Sequence, residues 1–594
     1  MVMCHLSGVM RVALALTLIG GSCAFYLPGV IPTTYYPGDD VDVKVNSVTS
    51  VETHIPFEYY RYPVCEPAKI ESAAENLGEL LTGSRIYNSP YQIKMGQAET
   101  CKVLCKTTMD INEAHLLLHS IRAQYSFNWI IDNLPVAASV NSQGSEYIFY
   151  EHGYFIGGYF VKESADLENS KKTADSSIVS YFVNNHVKIL IKTHQPVPGD
   201  AGRRIVGVEV IPASIKHTVD GDLPEYLPAE ACAFDDEQMG AEPMTIPSFF
   251  YDAKTKEIED PTNIAEIIYT YDVEFQNSDV KWASRWDVYL SMGGRVDNDV
   301  HWFSIVNSVM IVFLLSGMVA IILLRTLRRD VLYYNRIPTE EEREEEKEES
   351  GWKLIHAHVF RPPDHQPLLL AVFVGSGAQV FFMAAALLVF SAVGFLSPAN
   401  RGSLMIACVA FFVMLSSVAG YVAAVTYKMF DGEHWHRCTV ATALGFPGVA
   451  FTIFFVINSA LWAMHSAGAV PFGSMFAIVA MWLGISLPLT FVGAYMGYKR
   501  DKVEPATAVA GSPATIPPTQ WYLSPAVTVL VGGVLPFGVV FVELFFILSS
   551  LWLDQFYYVF GFLFLVFIML TLVCAELTIV LTYFQLCNED YKFW

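Results

Sequence analysis

Charged residues are scarce in this sequence. Only 16% of its 594 residues are Asp, Glu, Lys or Arg, whereas 53% are hydrophobic. Soluble domains carry about 25% charged residues, so a wholly soluble protein is excluded. Basic residues are the scarcer kind, because 37 Lys and Arg stand against 59 Asp and Glu. The chain is also longer than one ordinary hydrophobic core, so at least two structural units are expected.

The sequence also lacks the motifs of familiar enzymes. It has no P-loop, no dinucleotide-binding fingerprint, no His-Glu-x-x-His motif and no Ser-His-Asp set. We therefore expect that the protein is not an enzyme, that it needs no cofactor and that it binds no nucleic acid.

Residues 1–24 have the features of a signal peptide. Arg11 precedes an apolar run over residues 12–21, which is shorter than the roughly 20 residues needed to cross a bilayer. Ser22 and Ala24 place small residues two apart before Phe25, as a signal peptidase requires. We expect cleavage at this point and entry into the secretory pathway.

Residues 25–302 contain no apolar run of membrane length, so we expect them to form a lumenal domain. This region is acidic, with 40 acidic and 21 basic residues. Apolar and polar residues alternate in short segments rich in β-branched and aromatic residues, which is typical of half-buried strands. The clearest of these segments are residues 41–45, 187–191, 205–210 and 267–275. Helices are predicted only over residues 66–81 and 111–125, so the expected fold is β-rich, most simply a β-sandwich.

Four cysteines remain in this region once the signal peptide is removed: Cys65, Cys101, Cys105 and Cys232. An oxidising lumen favours disulfides, and four cysteines allow three connectivities, which the sequence leaves open. The Cys101-x-x-x-Cys105 spacing matches neither a redox motif nor a zinc motif. Structural disulfides are therefore predicted.

Seven apolar runs follow Trp302, each long enough to cross a hydrocarbon core of about 30 Å. They cover residues 303–324, 368–392, 404–425, 439–464, 472–496, 526–551 and 556–584. We predict a first transmembrane helix at 303–324, an acidic cytosolic loop at 325–367, helices two to seven within 368–587, and a cytosolic end at 588–594. The loop at 325–367 holds eight Lys and Arg, whereas the predicted lumenal loops between helices hold only Arg401. This asymmetry agrees with the orientation set by the signal peptide.

Two carboxylates lie inside the predicted helices, where burial of an ionisable group is costly. Counted from the lumenal ends of their helices, Glu543 lies about 12 Å deep and Glu576 about 30 Å deep. A direct hydrogen bond between them is therefore not expected. Each is either satisfied within the helix bundle or part of a site for cargo or an ion, and the sequence leaves both readings open.

A loop before the fourth predicted helix contains His434, His436 and Cys438. Imidazole and thiolate groups bind copper and zinc, but this spacing matches no known closed site and a fourth ligand is missing. With Trp435 among them, these residues are more typical of a juxtamembrane loop at the lipid headgroups. We expect no bound metal.

Three classes of protein fit this organisation. A seven-helix receptor is disfavoured, because no Asp-Arg-Tyr follows the third helix and no Asn-Pro-x-x-Tyr ends the seventh. A transporter is disfavoured by the absence of an internal inverted repeat. The third class is a protein that handles or sorts membrane cargo.

Several blocks of sequence resemble those of the nonaspanins, the transmembrane 9 superfamily. They include Phe-Tyr-Leu-Pro-Gly at 25–29, Glu-Asn-Leu-Gly-Glu at 75–79, Trp-Ala-Ser-Arg-Trp-Asp at 282–287, Gly-Ser-Gly-Ala-Gln at 375–379, Pro-Ala-Asn-Arg-Gly at 398–402 and Phe-Val-Glu-Leu-Phe-Phe at 541–546. The block at 75–79 resembles the subgroup with the larger lumenal domain. The blocks occur in order along the chain, so the resemblance is specific.

This resemblance implies a multi-pass membrane protein of the Golgi and endosomes that acts in protein sorting. The implied partners are membrane lipids, transmembrane cargo proteins, among them those with glycine-rich spans, and trafficking coat or adaptor proteins. Nonaspanins continue with two further helices after the equivalent of residues 588–591, and this sequence ends at Trp594 before them. The end of the chain is expected to be cytosolic. The alternative function is an ion- or solute-coupled transporter, with a seven-span receptor ranked below it.

Overall fold

A computed structural model describes most of the chain. The described residues are 31–73, 76–141, 148–162, 178–197, 199–219, 223–234, 242–246, 265–290, 298–334, 355, 357–363, 365–396, 400–503, 513–518, 521–552 and 560–592. The predicted signal peptide lies outside these residues. The chain divides into a strand-rich unit (Met1–Val48, Tyr59–Ala73 and Ile86–Met292) and a helical unit (Thr49–Glu58, Ala74–Arg85 and Gly293–Trp594).

Strands dominate the first half of the chain. They are β1 (Asp40–Val41), β2 (Val43–Val45), β3 (Thr49–Ser50), β4 (Tyr87–Asn88), β5 (Ile93–Lys94), β6 (Glu99–Met109), β7 (Tyr125–Phe127), β8 (Trp129–Ile131), β9 (Leu134–Pro135), β10 (Ala137–Asn141), β11 (Ile148–His152), β12 (Tyr154–Phe155), β13 (Gly157–Lys162), β14 (Ile178–Val183), β15 (His186–His194), β16 (Arg204–Ala213) and β17 (Ala265–Asn277).

Helices dominate the second half. They are α1 (Leu77–Thr82), α2 (Ile111–Arg122), α3 (Arg285–Leu290), α4 (Asn298–Tyr334), α5 (Pro367–Ala392), α6 (Ser403–Met414), α7 (Ser416–Met429), α8 (Trp435–Ala463), α9 (Phe472–Met481), α10 (Leu487–Lys499), α11 (Pro525–Trp552) and α12 (Phe560–Cys587).

The largest sheet of the strand-rich unit has six strands in the order β11-β10-β16-β15-β17-β6. The pairs β10–β16 and β15–β17 are parallel, and the other neighbours are antiparallel. Side chains along β15 alternate between buried and half-buried, as the period-two pattern of its sequence predicts. A smaller sheet has the order β4-β2-β8-β9.

An aromatic core joins these two sheets. Tyr91 lies between Trp129 of the smaller sheet, with ring centroids 4.6 Å apart, and Tyr271 of the larger sheet, at 5.2 Å. Tyr154 meets Trp129 edge-on at 5.1 Å, and Trp129, Tyr154 and Tyr271 are all buried. Edge-to-face and tilted pairs of this kind add to the stabilisation from area burial.

One predicted helix was too long. The helix expected over residues 66–81 begins only at Leu77, where Asn76 and Glu79 form a capping box. The side-chain oxygen of Asn76 accepts from the Glu79 amide, and the Glu79 carboxylate accepts from the Asn76 amide. This reciprocal pair satisfies two amides at a helix start, so it fixes the start at Leu77, eleven residues later than expected.

In the described part of the helical unit, seven helices are long and apolar enough to cross a membrane. We call them spans 1 to 7. They are span 1 (Trp302–Arg328), span 2 (Pro367–Ala392), span 3 (Ser403–Met429), span 4 (Trp435–Ala463), span 5 (Phe472–Lys499), span 6 (Pro525–Trp552) and span 7 (Phe560–Cys587). The predicted strand-rich region followed by seven spans is confirmed.

Span 4 contains a proline within its helix, Pro447. Proline has no amide hydrogen, so the carbonyl four residues earlier, that of Ala443, loses its helical partner. The indole Nε1 of Trp482 in span 5 donates to that carbonyl at 3.0 Å. A neighbouring helix therefore supplies the donor that the proline removed, which a backbone group in lipid requires.

Span 3 is interrupted at Leu415, between α6 and α7. The carbonyl of Phe412, in the last turn of α6, accepts from Gln379 Nε2 of span 2 at 2.6 Å. The hydroxyl of Ser416, just after the break, lies 3.0 Å from the carbonyl oxygen of Ser486. Ser486 ends a π-helical turn, Trp482–Ser486, in span 5. Two interrupted helices thus meet, and side chains satisfy the backbone at both interruptions.

Small residues allow span 3 to approach spans 2 and 5 closely. A Cβ atom added to Gly420 would collide with the carbonyl of Thr490, and one added to Gly493 would collide with the carbonyl of Ser417. On span 2, a Cβ on Gly375 would lie 2.7 Å from the carbonyl oxygen of Ala419. Close backbone approach through small residues is a principal source of packing energy between membrane helices.

The helical unit includes two short segments from the first half of the chain, Thr49–Glu58 and Ala74–Arg85, which pack onto the loops between its helices. Asn76 Nδ2 donates to the carbonyl of Arg401 at 2.9 Å, so one residue from each of two sequence blocks of the family resemblance is in contact. Gly402 has φ +70°, and a Cβ there would collide with Asn76 Oδ1. The carbonyl of Pro56 accepts from Ser466 Oγ at 2.7 Å and from the Ala467 amide at 2.8 Å.

We predict that Trp482→Phe destabilises the full-length protein by about 1–3 kcal/mol, because the Ala443 carbonyl is left buried without a donor. Pro447→Ala restores the helical amide, so Trp482→Phe should cost less than half as much in that background. Denaturant unfolding of the purified protein in lipid nanodiscs measures both costs. Trp521→Phe, at an exposed tryptophan, is the matched control. Equal costs of Trp482→Phe in the two backgrounds would contradict the account.

Candidate functional site in the membrane spans

Spans 1, 6 and 7 pack around a shared apolar centre. Leu315 of span 1, Val539 of span 6, and Val573 and Leu577 of span 7 are buried against one another. Both carboxylates singled out from the sequence lie on these helices, Glu543 on span 6 and Glu576 on span 7. The candidate site is therefore built on three packed helices rather than on a loop.

Serine hydroxyls mark the face of span 1 in this group. Ser308 is fully buried, and its hydroxyl proton is shared between the carbonyl oxygens of Ser304, at 2.9 Å, and of Val539 on span 6, at 3.3 Å. Glu543 lies one helical turn after Val539 and is buried. Burial of its whole side chain within the bundle favours a structural role for Glu543.

Glu576 has different surroundings. The hydroxyl of Ser316 on span 1 donates to Glu576 Oε1. The second oxygen, Oε2, is buried and has no hydrogen-bond partner among the described residues. The hydroxyls of Ser376 and Ser391 are also buried without a partner there, but a carboxylate oxygen costs more to leave unbonded than a hydroxyl does. Glu576 therefore keeps an unused hydrogen-bonding position inside the membrane.

The two carboxylates lie at different levels. Glu576 is bonded to Ser316, whereas Glu543 is one turn from the residue that contacts Ser308. Ser308 and Ser316 are eight residues apart, or about 12 Å along a helix axis. The structure does not bring the two carboxylates together.

A groove runs between spans 1 and 7, beginning one turn beyond Glu576. Its volume is about 400 Å³, and it is open on one side. It is lined by Ile322, Leu323 and Thr326 of span 1 and by Thr578, Ile579, Thr582, Tyr583 and Leu586 of span 7. Thr578 donates to the carbonyl of Cys574 on its own helix, so the wall is largely apolar. The groove could accommodate an apolar segment, and the carboxylate of Glu576 lies nearby on the same helix.

The three weak metal candidates do not converge. His434 and His436 are exposed, and the Trp435 ring lies against His436 with centroids 3.4 Å apart. Cys438 is buried with Ala371, Val372, Ala423 and Tyr427. Residues at alternate positions of a helix point in nearly opposite directions, which separates the thiol from His436. No group of three or more His, Cys, Asp or Glu in the described parts of the chain is arranged to hold a metal.

The four cysteines predicted to form disulfides are paired. Cys65 is bonded to Cys105, with Cα atoms 5.8 Å apart, and Cys101 to Cys232, with Cα atoms 5.7 Å apart. These distances lie within the range of ordinary disulfides. Of the three connectivities that the sequence left open, the structure has this one.

Sequence reasoning missed Ser316, which decides the surroundings of Glu576. Serine is common in membrane helices, and a serine inside the apolar run 303–324 carries no distinctive signal. The spacing of Ser304, Ser308 and Ser316 was the available sign, because intervals of four and eight residues place hydroxyls on one face of a helix.

Comparisons with known proteins give the family. The model of the family Endomembrane protein 70 matches residues 56–594. Transmembrane 9 superfamily member 9 of Arabidopsis thaliana is 47% identical over 575 residues, which cover 96% of this chain and 84% of the relative. This chain belongs to that family.

Other relatives agree with this membership. Transmembrane 9 superfamily member 4 of Homo sapiens is 39% identical over 598 residues, covering 98% of this chain and 87% of the relative. Member 2 of Homo sapiens is 39% identical over 604 residues, covering 97% and 86%. These names describe membrane proteins and no enzyme. The resemblance found in the sequence is confirmed, and with seven apolar spans the protein is a multi-pass membrane protein.

We predict that Ser316→Ala destabilises the protein by about 1–2 kcal/mol, because both oxygens of Glu576 are then left without a donor. Glu576→Leu in the same chain should recover most of that loss, since it removes the unsatisfied carboxylate. Thermal unfolding of the purified protein in nanodiscs reports both changes. Ser459→Ala is the matched control, because that exposed hydroxyl bonds only to its own helix, at the carbonyl of Phe455. Additive effects of the two substitutions would rule out the interaction.

Proposed function

We propose that this protein sorts other membrane proteins between compartments of the Golgi and endosomes. It would recognise a transmembrane segment of the cargo at the groove between spans 1 and 7. The observation that carries this proposal is the buried oxygen of Glu576 that has no partner among the described residues, on the same helix as the groove residues that begin at Thr578. Membership of the transmembrane 9 superfamily supports it.

The chemistry of the groove indicates which cargo it would favour. An apolar wall of Leu323, Ile579 and Leu586 suits a helix in lipid, and the Glu576 oxygen accepts a hydrogen bond. Serine and threonine hydroxyls are suitable donors, and glycine Cα–H groups are weaker ones. A cargo span rich in glycine would also approach closely, because it has no Cβ atoms along one face. We therefore propose cargo spans that carry small and polar residues.

The proposed topology places the strand-rich unit in the lumen and the end of the chain in the cytosol. The loop after span 1 would then face cytosolic coat or adaptor proteins, while membrane lipids surround the spans. This arrangement allows one protein to link cargo in the membrane with coat assembly on the other side. The positive-inside asymmetry of the loops supports it.

We predict that cells lacking this protein lose at least half of the surface level of those membrane proteins whose spans are rich in small and polar residues. Wild-type protein should restore that level. Glu576→Gln should restore less than a third of it, because the amide group bonds differently while keeping the shape and the contact with Ser316. Quantitative surface proteomics, with total cellular levels measured in parallel, checks these outcomes.

Cys574→Ala is the control, since Cys574 is an exposed residue of the same helix two positions away. Full rescue by Glu576→Gln would exclude the proposed role of this carboxylate. If depletion left surface levels unchanged and altered the ion content of vesicles, the protein would be a transporter rather than a sorting factor.

A further inference from the structure

Two imidazoles in the strand-rich unit share one hydroxyl group. His186 Nδ1 lies 2.8 Å and His217 Nε2 lies 3.0 Å from Thr270 Oγ1. His186 and Thr270 are buried on the adjacent strands β15 and β17, and His217 lies on the segment that follows β16. This group therefore holds the segment after β16 against the central sheet.

The surroundings fix which atoms donate. His186 Nε2 faces Asp272 Oδ2 at 3.7 Å, and a bare nitrogen lone pair beside a carboxylate would be repelled. The proton of neutral His186 is therefore on Nε2, and its Nδ1 accepts from Thr270. The Thr270 oxygen then accepts from His217 Nε2–H. The Thr270 hydroxyl hydrogen and the His217 Nε2–H each have one acceptor, whereas the His186 Nε2–H faces the Asp272 carboxylate at 3.7 Å, too far for a hydrogen bond.

The surroundings of His217 also favour the neutral form of its imidazole. Burial, and then the adjacent His186, lower the pKa of His217 to about 4. Burial alone would raise the pKa of Asp272, but the adjacent His186 and the hydrogen bond from the Cys101 amide lower it overall. Lys188 is paired with Glu274, and Lys216, beside His217 on its own segment, is paired with Glu242. The Asp272 carboxylate therefore faces His186, and no carboxylate among the described residues forms an ion pair with His217.

A proton added to this group breaks the arrangement. If His217 is protonated, its charge is half-buried beside a second imidazole. This weakens the contact between the segment after β16 and the sheet.

We propose that His186, Thr270 and His217 form a pH-sensitive latch that closes the segment carrying His217 onto the central sheet at neutral pH and releases it in acid. That segment leads to Cys232, whose sulfur lies 3.7 Å from Thr270 Oγ1 and is bonded to Cys101. The disulfide limits the release to the chain before it. The latch would give the strand-rich unit two surfaces, one in near-neutral and one in acidic compartments.

The direction of the effect follows from linkage. His217 binds a proton near pH 6.5 when released and near pH 4 when latched. The stabilisation is therefore complete above pH 6.5 and is lost as the pH falls through this interval. Between pH 7 and pH 5 the released population should rise about 20-fold.

Hydrogen–deuterium exchange of the full-length protein in nanodiscs tests the latch. Rates are corrected for the intrinsic effect of pH, and the peptide of interest covers residues 213–219. We expect opening about 20-fold greater at pH 5 than at pH 7 in the wild type, and less than threefold greater in His217→Gln. His119→Gln, at an exposed histidine of α2, should behave as the wild type.

Thr270→Val provides a second test should His217→Gln fail to fold. Without the hydroxyl, the segment should open more often at pH 7 than in the wild type, although Asn185 still bonds the Ile215 backbone. Its opening should respond little to acid. The proposal is overturned if wild-type opening changes less than twofold between pH 7 and pH 5, or if His217→Gln keeps the full response. Neither outcome depends on the sorting function, because exchange is measured without cargo.

Discussion

Inside a bilayer no water is available to bond a polar group, so the protein itself must supply every partner. This constraint explains the pattern of contacts between the spans. The Ala443 carbonyl, which Pro447 leaves open, accepts from Trp482. The Phe412 carbonyl, at the break in span 3, accepts from Gln379. In both places the backbone of one helix is irregular and a side chain of its neighbour completes it. The irregular positions therefore form hydrogen bonds between neighbouring helices.

The same constraint makes Glu576 informative. Ser316 bonds one of its oxygens, and the other remains without a partner in the described chain, one turn from a groove between two helices. An incomplete site in lipid is a place where a second transmembrane segment gains a hydrogen bond that lipid cannot offer. Glu543, fully buried on span 6, contrasts with it. The two carboxylates look alike in the sequence, but in the structure Glu576 keeps an oxygen that can accept another hydrogen bond.

Hydropathy alone predicts the seven spans, because a run of about 20 apolar residues has few other stable states. Alternation likewise predicts the long strands β15, β16 and β17. The pairing of Trp482 with the Ala443 carbonyl could not be predicted, since it joins a side chain to a backbone atom 39 residues away. The same holds for Asn76 and Arg401, which lie 325 residues apart and meet in the folded chain. The helix expected over residues 66–81 was too long, because the capping box at Asn76 starts the helix at Leu77.

The latch lies in the strand-rich unit and the groove lies in the helical unit. Each contains polar groups whose hydrogen-bonding capacity is not fully used. In the strand-rich unit two imidazoles depend on one hydroxyl, and among the spans one carboxylate has a free oxygen. Both are positions where a regular core would place apolar side chains. Departures of this kind from local consistency are expected at functional sites.

Site-specific photocrosslinking tests the central claim most directly, namely that cargo binds beside Glu576. A photoreactive residue is placed at Leu323 or Ile579 in the groove and, for comparison, at Val456 or Val529, which are exposed on spans 4 and 6. The probe is a co-expressed membrane protein whose surface level depends on this one. The account predicts crosslinks from the two groove positions to the transmembrane segment of that protein, at least fivefold above the other two. Equal crosslinking from all four positions, or crosslinks only from Val456 and Val529, would contradict it.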